Sequence, residues 1–246
     1  DLIATGHYAD TISINGTTYL ARAIDNTKDQ TYFLHEVSSE EFSKTIFPLS
    51  NMKKDDVRKL AMNLGLVNAE KKDSVGICFV GERNLKDFLG RFISFKTGII
   101  KDNDNNVIGQ HNGALLYTEG QRQGLNIGGV KGRPELPWYV YKKDIPNNTI
   151  YVCQGVDNEL LMSSRVTIDS LHKINDDELK LPFDCYVQVR HLQKPIAAQL
   201  NYDNSNYFIN FKNPVRAAAP GQSAVIYKDN ICIGGGIISK SFSSTK

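Results

Sequence analysis

The sequence predicts an α/β region followed by β-rich ones. Three observations carry this. Residues 1–83 mix strand-like apolar runs with a helix-period stripe, residues 98–137 are dense in glycine and turn formers, and residues 166–246 hold short alternating strands at even spacing. A chain of 246 residues has room for one large domain or two to three small ones. We divide it into residues 1–83, 84–165 and 166–246.

In the first part, Leu2 to Tyr8 and Thr18 to Ala23 read as strands, with Leu2-Ile3-Ala4 expected to be buried. A chain opening on a buried strand, without Met, is expected to follow an N-terminal segment. Lys53 to Leu64 reads as a helix, because Val57, Leu60, Ala61 and Leu64 recur at helical spacing and Gly65 follows. Asn84 is placed to cap a second helix whose stripe is Leu85, Phe88, Leu89, Phe92 and Ile93, closed by Gly98. Beyond it, Asp102-Asn103-Asp104-Asn105-Asn106 is a turn cluster between short apolar runs. Trp138 to Tyr141 and Thr149 to Val152 form a hairpin around Pro146-Asn147-Asn148. In the last part, Cys185, Val187 and Val189 alternate with Tyr186, Gln188 and Arg190. Ile196–Tyr202 and Tyr207–Phe211 flank one turn, and Ala224–Tyr227 and Ile231–Ile238 flank another, the pattern of a small barrel.

Composition excludes several classes. Lys plus Arg is 29 and Asp plus Glu 27, a net charge of +2, which is neither a polybasic tail nor an acidic solvating chain. The 41% hydrophobic content suffices for a core. Apolar runs such as Ala114–Tyr117 and Ala224–Tyr227 fall far short of the roughly twenty residues of a membrane helix, so no membrane partner is expected. The cysteines at 78, 153, 185 and 232 form no CxxC pair, which fits a reducing compartment and no structural metal.

Three places can carry chemistry. Cys78 has Lys71, Lys72 and Arg83 near it in sequence, and cations lower a thiol pKa; from spacing alone the stronger reading is a small buried residue of the strand-like Ile77–Val80 run. Gly6-His7 follows a strand, where glycine lets a ligand approach the backbone; from spacing alone the stronger reading is a plain turn. Gly120 to Gly129 is a glycine-rich loop holding Arg122. It fits a cradle for phosphates or RNA backbone, or a structural loop, and it matches neither GxxxxGK[ST] nor GxGxxG.

Taken together, Ala4-Thr5-Gly6-His7-Tyr8, Lys28-Asp29-Gln30-Thr31-Tyr32-Phe33-Leu34, Phe47-Pro48-Leu49, Lys72-Asp73-Ser74-Val75-Gly76-Ile77-Cys78-Phe79, Gly120-Gln121-Arg122, Pro137-Trp138-Tyr139-Val140 and Pro220-Gly221-Gln222-Ser223-Ala224-Val225 resemble the tRNA-specific 2-thiouridylase family, in family order and along essentially the whole chain. The resemblance implies a fold. Residues 1–83 become the back portion of a PP-loop (adenine nucleotide alpha hydrolase-like) ATP-binding domain, residues 84–165 a small central domain, and residues 166–246 a C-terminal β-barrel that binds tRNA.

It also implies a chemistry. With ATP and Mg2+, the family adenylates carbon 2 of the wobble uridine in the anticodon loop. A cysteine persulfide, charged by a sulfur-relay donor protein or cysteine desulfurase, then delivers sulfur to that carbon. Cys78 matches the persulfide cysteine and Gly6 a residue of the ATP site. His7, Lys28, Asp29, Gln30, Arg190, His191 and Gln222 match tRNA contacts, His191 at a position where the family often has Tyr. The barrel and the Lys28-Asp29-Gln30 loop are expected to hold tRNA from two sides. The implied location is the cytoplasm, or an organelle matrix if a transit peptide precedes the chain. An SGGxDS-like phosphate loop and the cysteine that partners the persulfide cysteine are not among these residues. Glu119, Asn126 and Ser50 also depart from the family pattern. The competing readings are a non-catalytic RNA-binding module and another ATP-pyrophosphatase acting on a small molecule.

Overall fold

The computed structural model describes residues 1–71, 85–203 and 205–243. Cys78, the block around it and the Asn84 cap lie outside these residues. The chain forms two compact units. Of the described residues, one unit joins residues 1–71 to residues 163–243, and the other comprises residues 85–162.

The N-terminal segment of the first unit contains β1 (Ile3–Ala4), β2 (Ala9–Ile14), β3 (Thr17–Arg22), the short helices α1 (Thr31–Leu34) and α2 (Ser39–Ser43), β4 (Thr45–Ile46) and helix α3 (Lys54–Asn63). β1 and β4 pair in parallel. The expected strand over Leu2–Tyr8 is thus two residues long. It is also exposed rather than buried, Leu2 at 64% and Ile3 at 67%, because no other described residue covers that pair. β2 and β3 form a hairpin that the sequence reading missed. Its turn is Asn15-Gly16, both residues at positive φ, 51° and 82°, as a type I′ turn requires. α2 starts at a capping box in which Ser38 and Glu41 satisfy each other's backbone N–H groups. α3 matches the periodicity and ends at Gly65, φ 63°, yet buries none of its residues in this unit.

The central unit contains α4 (Leu85–Leu89) and the strands β5 (Gly98–Lys101), β6 (Val107–His111), β7 (Trp138–Asp144) and β8 (Thr149–Gln154). They form one sheet in the order β6-β5-β8-β7, with β5 and β8 parallel. Ile100, Trp138, Val140, Ile150 and Val152 make its core. Gly98 does not close a helix. It opens β5, and a Cβ there would stand 2.1 Å from the Asn148 carbonyl oxygen, so only glycine fits. The expected turn cluster joins β5 to β6. Buried Asp102 accepts from the backbone N–H groups of Asp104 and Asn106, both at 2.9 Å, and from Arg133 at 2.6 Å.

The third segment supplies β9 (Met162–Ile168), β10 (His172–Lys173), β11 (Phe183–Gln188), β12 (Ile196–Tyr202), β13 (Tyr207–Arg216), β14 (Ser223–Lys228) and the long β15 (Ile231–Ser243). β14, β11, β12, β13, β9 and β15 follow one another around a ring that the β14–β15 pairing closes, giving the barrel that the alternation predicts. β15 then extends the sheet to β3 through Ile231 opposite Ala21 and Cys232 opposite Leu20. This strand joins the N-terminal hairpin to the barrel. β14 explains its own unbroken apolar run. Ala224 and Ile226 face the barrel interior, while Val225 and Tyr227 face a second core with Ala9, Leu20, Tyr32, Phe42 and Phe47. A strand buried on both faces needs apolar residues at successive positions.

Two buried groups make the central unit acid-sensitive. Burial lowers the His111 pKa below 6.5, against a hydrogen bond to the Asn148 carbonyl. Burial pushes Asp102 upward, but the hydrogen bonds from Asn106, Arg133 and Asp104 outweigh it and hold the carboxyl below 3.8. Each contributes stability that is complete above its unfolded pKa and is lost as pH falls toward its lower folded value. The thermal stability of the chain is expected to fall below about pH 6.5 and again below about pH 4. The Tm gap between wild type and His111→Gln, which cannot titrate, should shrink between about pH 7 and about pH 5. A constant gap would show that His111 keeps its ordinary pKa.

Candidate nucleic-acid interface

The loop between β3 and α1 is built by two carboxylates turned inward. Asp25 accepts from the backbone N–H of Lys54 at 2.9 Å, closing the start of α3, and from the Thr27 N–H and hydroxyl at 3.0 and 2.6 Å. These bonds, the one from Lys54 first, hold its carboxyl below the usual range. Asp29 is 5% exposed and pairs with Arg22 at 2.7 Å. It also accepts from the Thr31 N–H at 2.8 Å and the Thr31 hydroxyl at 2.6 Å. The Thr31 proton is thereby committed. The buried Tyr227 hydroxyl, 3.1 Å from Thr31 Oγ1 and 3.2 Å from Gln188 Oε1, donates to one of these two. Burial raises the Tyr227 pKa, so it stays a donor.

This network fixes α1 against the barrel and brings the expected tRNA-contacting residues together. Gln30 accepts from the Tyr8 N–H at 2.9 Å, and its own N–H donates to the Tyr8 carbonyl at 2.8 Å, which holds His7 next to the loop. His7 Nδ1 lies 2.7 Å from the Thr5 hydroxyl. The Tyr32 hydroxyl donates to the carbonyl of Ser223, 3.1 Å away, beside Gln222. The ring of exposed Phe33 lies 4.4 Å from that of His191. The two groups of residues therefore adjoin on one unit. Their contact was not legible because it depends on how α1 docks on β14.

Within the group, directions differ. Lys28, Gln30, Arg190, His191 and Gln222 are partly exposed, whereas the Asp29 carboxylate is spent inside. Burial lowers the His191 pKa, which nearby Asp29 only partly opposes, so this imidazole is a neutral ring at neutral pH. Phe33, 58% exposed beside it, was missed by the sequence reading. An exposed aromatic one turn after a polar triplet is the signal that could have found it. Gly6, at the carboxyl end of β1, has no left-handed φ, and a Cβ there would meet nothing within 4 Å. Among the described residues, neither a turn nor packing requires this glycine.

The other cysteines differ from a reactive thiol. Cys153, Cys185 and Cys232 are buried in β8, β11 and β15. Burial raises Cys185 to about 11 and Cys232 further still. Among the described residues no cluster of His, Cys, Asp and Glu could hold a metal ion, and no helix is long and apolar enough to cross a membrane.

Residues 1–82 match the family model described as tRNA methyl transferase HUP domain, residues 86–154 that of a tRNA methyl transferase PRC-barrel domain, and residues 163–238 that of an Aminomethyltransferase beta-barrel domain. Their succession defines the class: a nucleotide-domain-type α/β module, a small central module and a terminal barrel. Over 239 residues, 97% of the chain, the sequence is 46% identical to the tRNA-specific 2-thiouridylase MnmA of Legionella pneumophila (strain Lens), covering 66% of that protein. It is 47% identical to the enzyme of the same name from Buchnera aphidicola subsp. Acyrthosiphon pisum and 44% identical to that from Salmonella arizonae, with 97% of the chain and 65% of each relative aligned. The chain belongs to the tRNA-specific 2-thiouridylase family, and it spans just under two thirds of the length of these relatives.

Asp29→Ala would leave Arg22 and the Thr31 donors without their buried acceptor. It is expected to destabilise the chain by about 3 kcal/mol, read as a lowered urea midpoint. Tyr32→Phe loses one hydrogen bond to a backbone carbonyl and should cost about 1 kcal/mol. Equal midpoints for Asp29→Ala and wild type would show that this carboxylate does not hold α1 in place.

Proposed function

We propose that this chain is the tRNA-holding and sulfur-donating portion of a tRNA 2-thiouridylase acting on the wobble uridine. The observation that carries the reading is the convergence of Lys28, Gln30, Arg190, His191 and Gln222, from three separate stretches of sequence, on one face around α1. Lys28 and Arg190 would meet phosphates, Gln222 and Gln30 would offer amides, and His7 would flank them. Phe33 and neutral His191 present rings on which an unstacked base can lie. Asp29 acts as a positioning residue for this face. With a net charge of only +2, affinity has to come from such placed groups. In this reading residues 1–83 are the back of the PP-loop domain, residues 84–165 the central domain and residues 166–246 the barrel domain.

The open approach at Gly6 fits ATP, whose binding would supply a good leaving group at carbon 2 of the uracil. This chain's own step falls to Cys78. The terminal sulfur of a persulfide on Cys78 would bond to carbon 2 as the activated oxygen departs with AMP. A second thiol, that of the partner cysteine, would then attack Cys78 Sγ, forming a disulfide with it and breaking the S–S bond so that the outer sulfur stays on carbon 2. That sulfur comes from a sulfur-relay protein or cysteine desulfurase, in the cytoplasm. The high pKa values of buried Cys185 and Cys232 favour this assignment by removing competitors.

Two measurements test the proposal. Incubated with a cysteine desulfurase and cysteine, the chain should gain one sulfur by mass. The Cys78→Ser variant should gain none, while Cys153→Ser, Cys185→Ser and Cys232→Ser should still be charged. Unimpaired charging of Cys78→Ser would sink the assignment. In tRNA binding across a salt series, Arg190→Ala should flatten the log–log slope by roughly one unit, since one phosphate contact is lost. Gln222→Ala should weaken binding without changing the slope, and Phe33→Ala should cost about 1–3 kcal/mol of stacking. If all three bind as wild type does, this face is not the tRNA site.

A further inference from the structure

The central unit carries a groove of about 700 Å³ whose rim includes Arg122, Asn126, Gly128, Gly129 and Lys131, all exposed. The loop that forms it is pinned along its length. Leu125 is buried, and Ile127 and Val130 pack on the same core, so the residues between them face outward. The Tyr117 hydroxyl donates to the Gly124 carbonyl at 3.2 Å. Arg133 is clamped by Asp102 and Asp104, and Gln154 Nε2 donates to the carbonyls of Pro134 and Leu136. The groove is therefore shaped before any ligand arrives.

Its glycines and charges point to one ligand chemistry. Gly128 and Gly129 have no left-handed φ, and a Cβ on either would meet nothing within 4 Å. The fold thus places no demand for glycine at these two positions. What two adjacent bare backbone units provide is close approach for a ligand. Arg133, which also lines the groove, is held by Asp102 and Asp104, so those two acids are spent on it. Glu135 is the acid among the lining residues, against the cations Arg122 and Lys131. A concave, rigid, net positive surface with exposed main chain suits phosphodiester groups.

We propose that this groove binds the sugar–phosphate backbone of the tRNA, as a second contact independent of the face around α1. The inference rests on the reading that the chain binds tRNA, and its test separates the two. The affinity of the chain for transcribed tRNA is measured across a salt series. Arg122→Ala and Lys131→Ala should each weaken binding several-fold and flatten the log–log slope by roughly one unit. The double variant Gly128→Ala, Gly129→Ala should also weaken binding, with the slope unchanged and a Tm that is not lowered, since the added methyl groups face open space. Arg190→Ala is measured in parallel. If the groove variants bind as wild type does while Arg190→Ala weakens binding, the groove proposal is overturned and the α1 face stands. If the groove variants weaken binding and Arg190→Ala does not, the groove stands and the α1 face falls. Inorganic phosphate tests the other source of the same chemistry. If it displaces tRNA from wild type at concentrations too low to act by ionic strength, and fails to do so in Lys131→Ala, the groove is a free-phosphate site and the proposal is overturned.

Discussion

The double burial of β14 is the constraint on which the first unit depends. A barrel strand usually shows one face to its interior and the other to water. Here the outer face, Val225 and Tyr227, is covered by Ala9, Leu20, Tyr32, Phe42 and Phe47 from the start of the chain. Covering it requires the β2–β3 hairpin to extend the barrel sheet from β15 and α1 to lie across β14. Once α1 is there, Tyr32 reaches the Ser223 carbonyl and Phe33 meets His191. The convergence of polar residues on this face follows from an apolar requirement, because the strand that leads away from Gln222 has no polar side it can show to solvent.

Charge is managed by direction rather than by number. The loop from β3 to α1 contains as many acids as bases nearby, and a count would predict little attraction for a polyanion. Asp25 and Asp29 are turned inward and saturated by backbone N–H groups, hydroxyls and Arg22. Their charge is largely compensated where it sits, and the solvent side of the loop is left to Lys28 and the amide of Gln30. The central unit repeats the device, with Asp102 and Asp104 consumed by Arg133 while Arg122 and Lys131 stay on the rim. In both places acids committed to the fold leave bases outward, which a small net charge conceals.

What could be read from the sequence followed from how strongly each element depends on its own residues. The alternation in β11 and the long apolar strands of the barrel were legible, since period-2 burial is written directly into side chains. So was the extent of α3, although Leu60 and Leu64 of its apolar stripe stay exposed, because periodicity reports an amphipathic helix without naming what covers it. The β2–β3 hairpin escaped although its Asn15-Gly16 turn is a strong local signal, because Thr and Ser at alternate positions mask the strand character. Gly98 was misread for a different reason: glycine after an apolar stripe and glycine at a close backbone approach look alike until Asn148 is in place. At the site, family likeness located the triplet Lys28-Asp29-Gln30 but could not say that its middle member points inward. That depends on Arg22, seven residues earlier, and on Thr31, two residues later, closing around one carboxylate.

The cysteines show the same division between position and environment. Sequence context favours Cys78 only weakly, since nearby lysines are common. The surroundings of the other three carry more weight. Cys232 lies between strands at a point where β15 changes partners, with Leu20 opposite, and Cys185 faces the barrel core. A thiol there would have to ionise inside an apolar medium, and burial raises its pKa accordingly. Even a small thiolate fraction would be useless, because a sulfur donor and a nucleobase would both have to enter a packed barrel to reach it. A cysteine that receives sulfur from one macromolecule and passes it to another has to sit where both can approach. The barrel excludes that for Cys185 and Cys232, and the β7–β8 core of the central unit excludes it for Cys153, which is fully buried there.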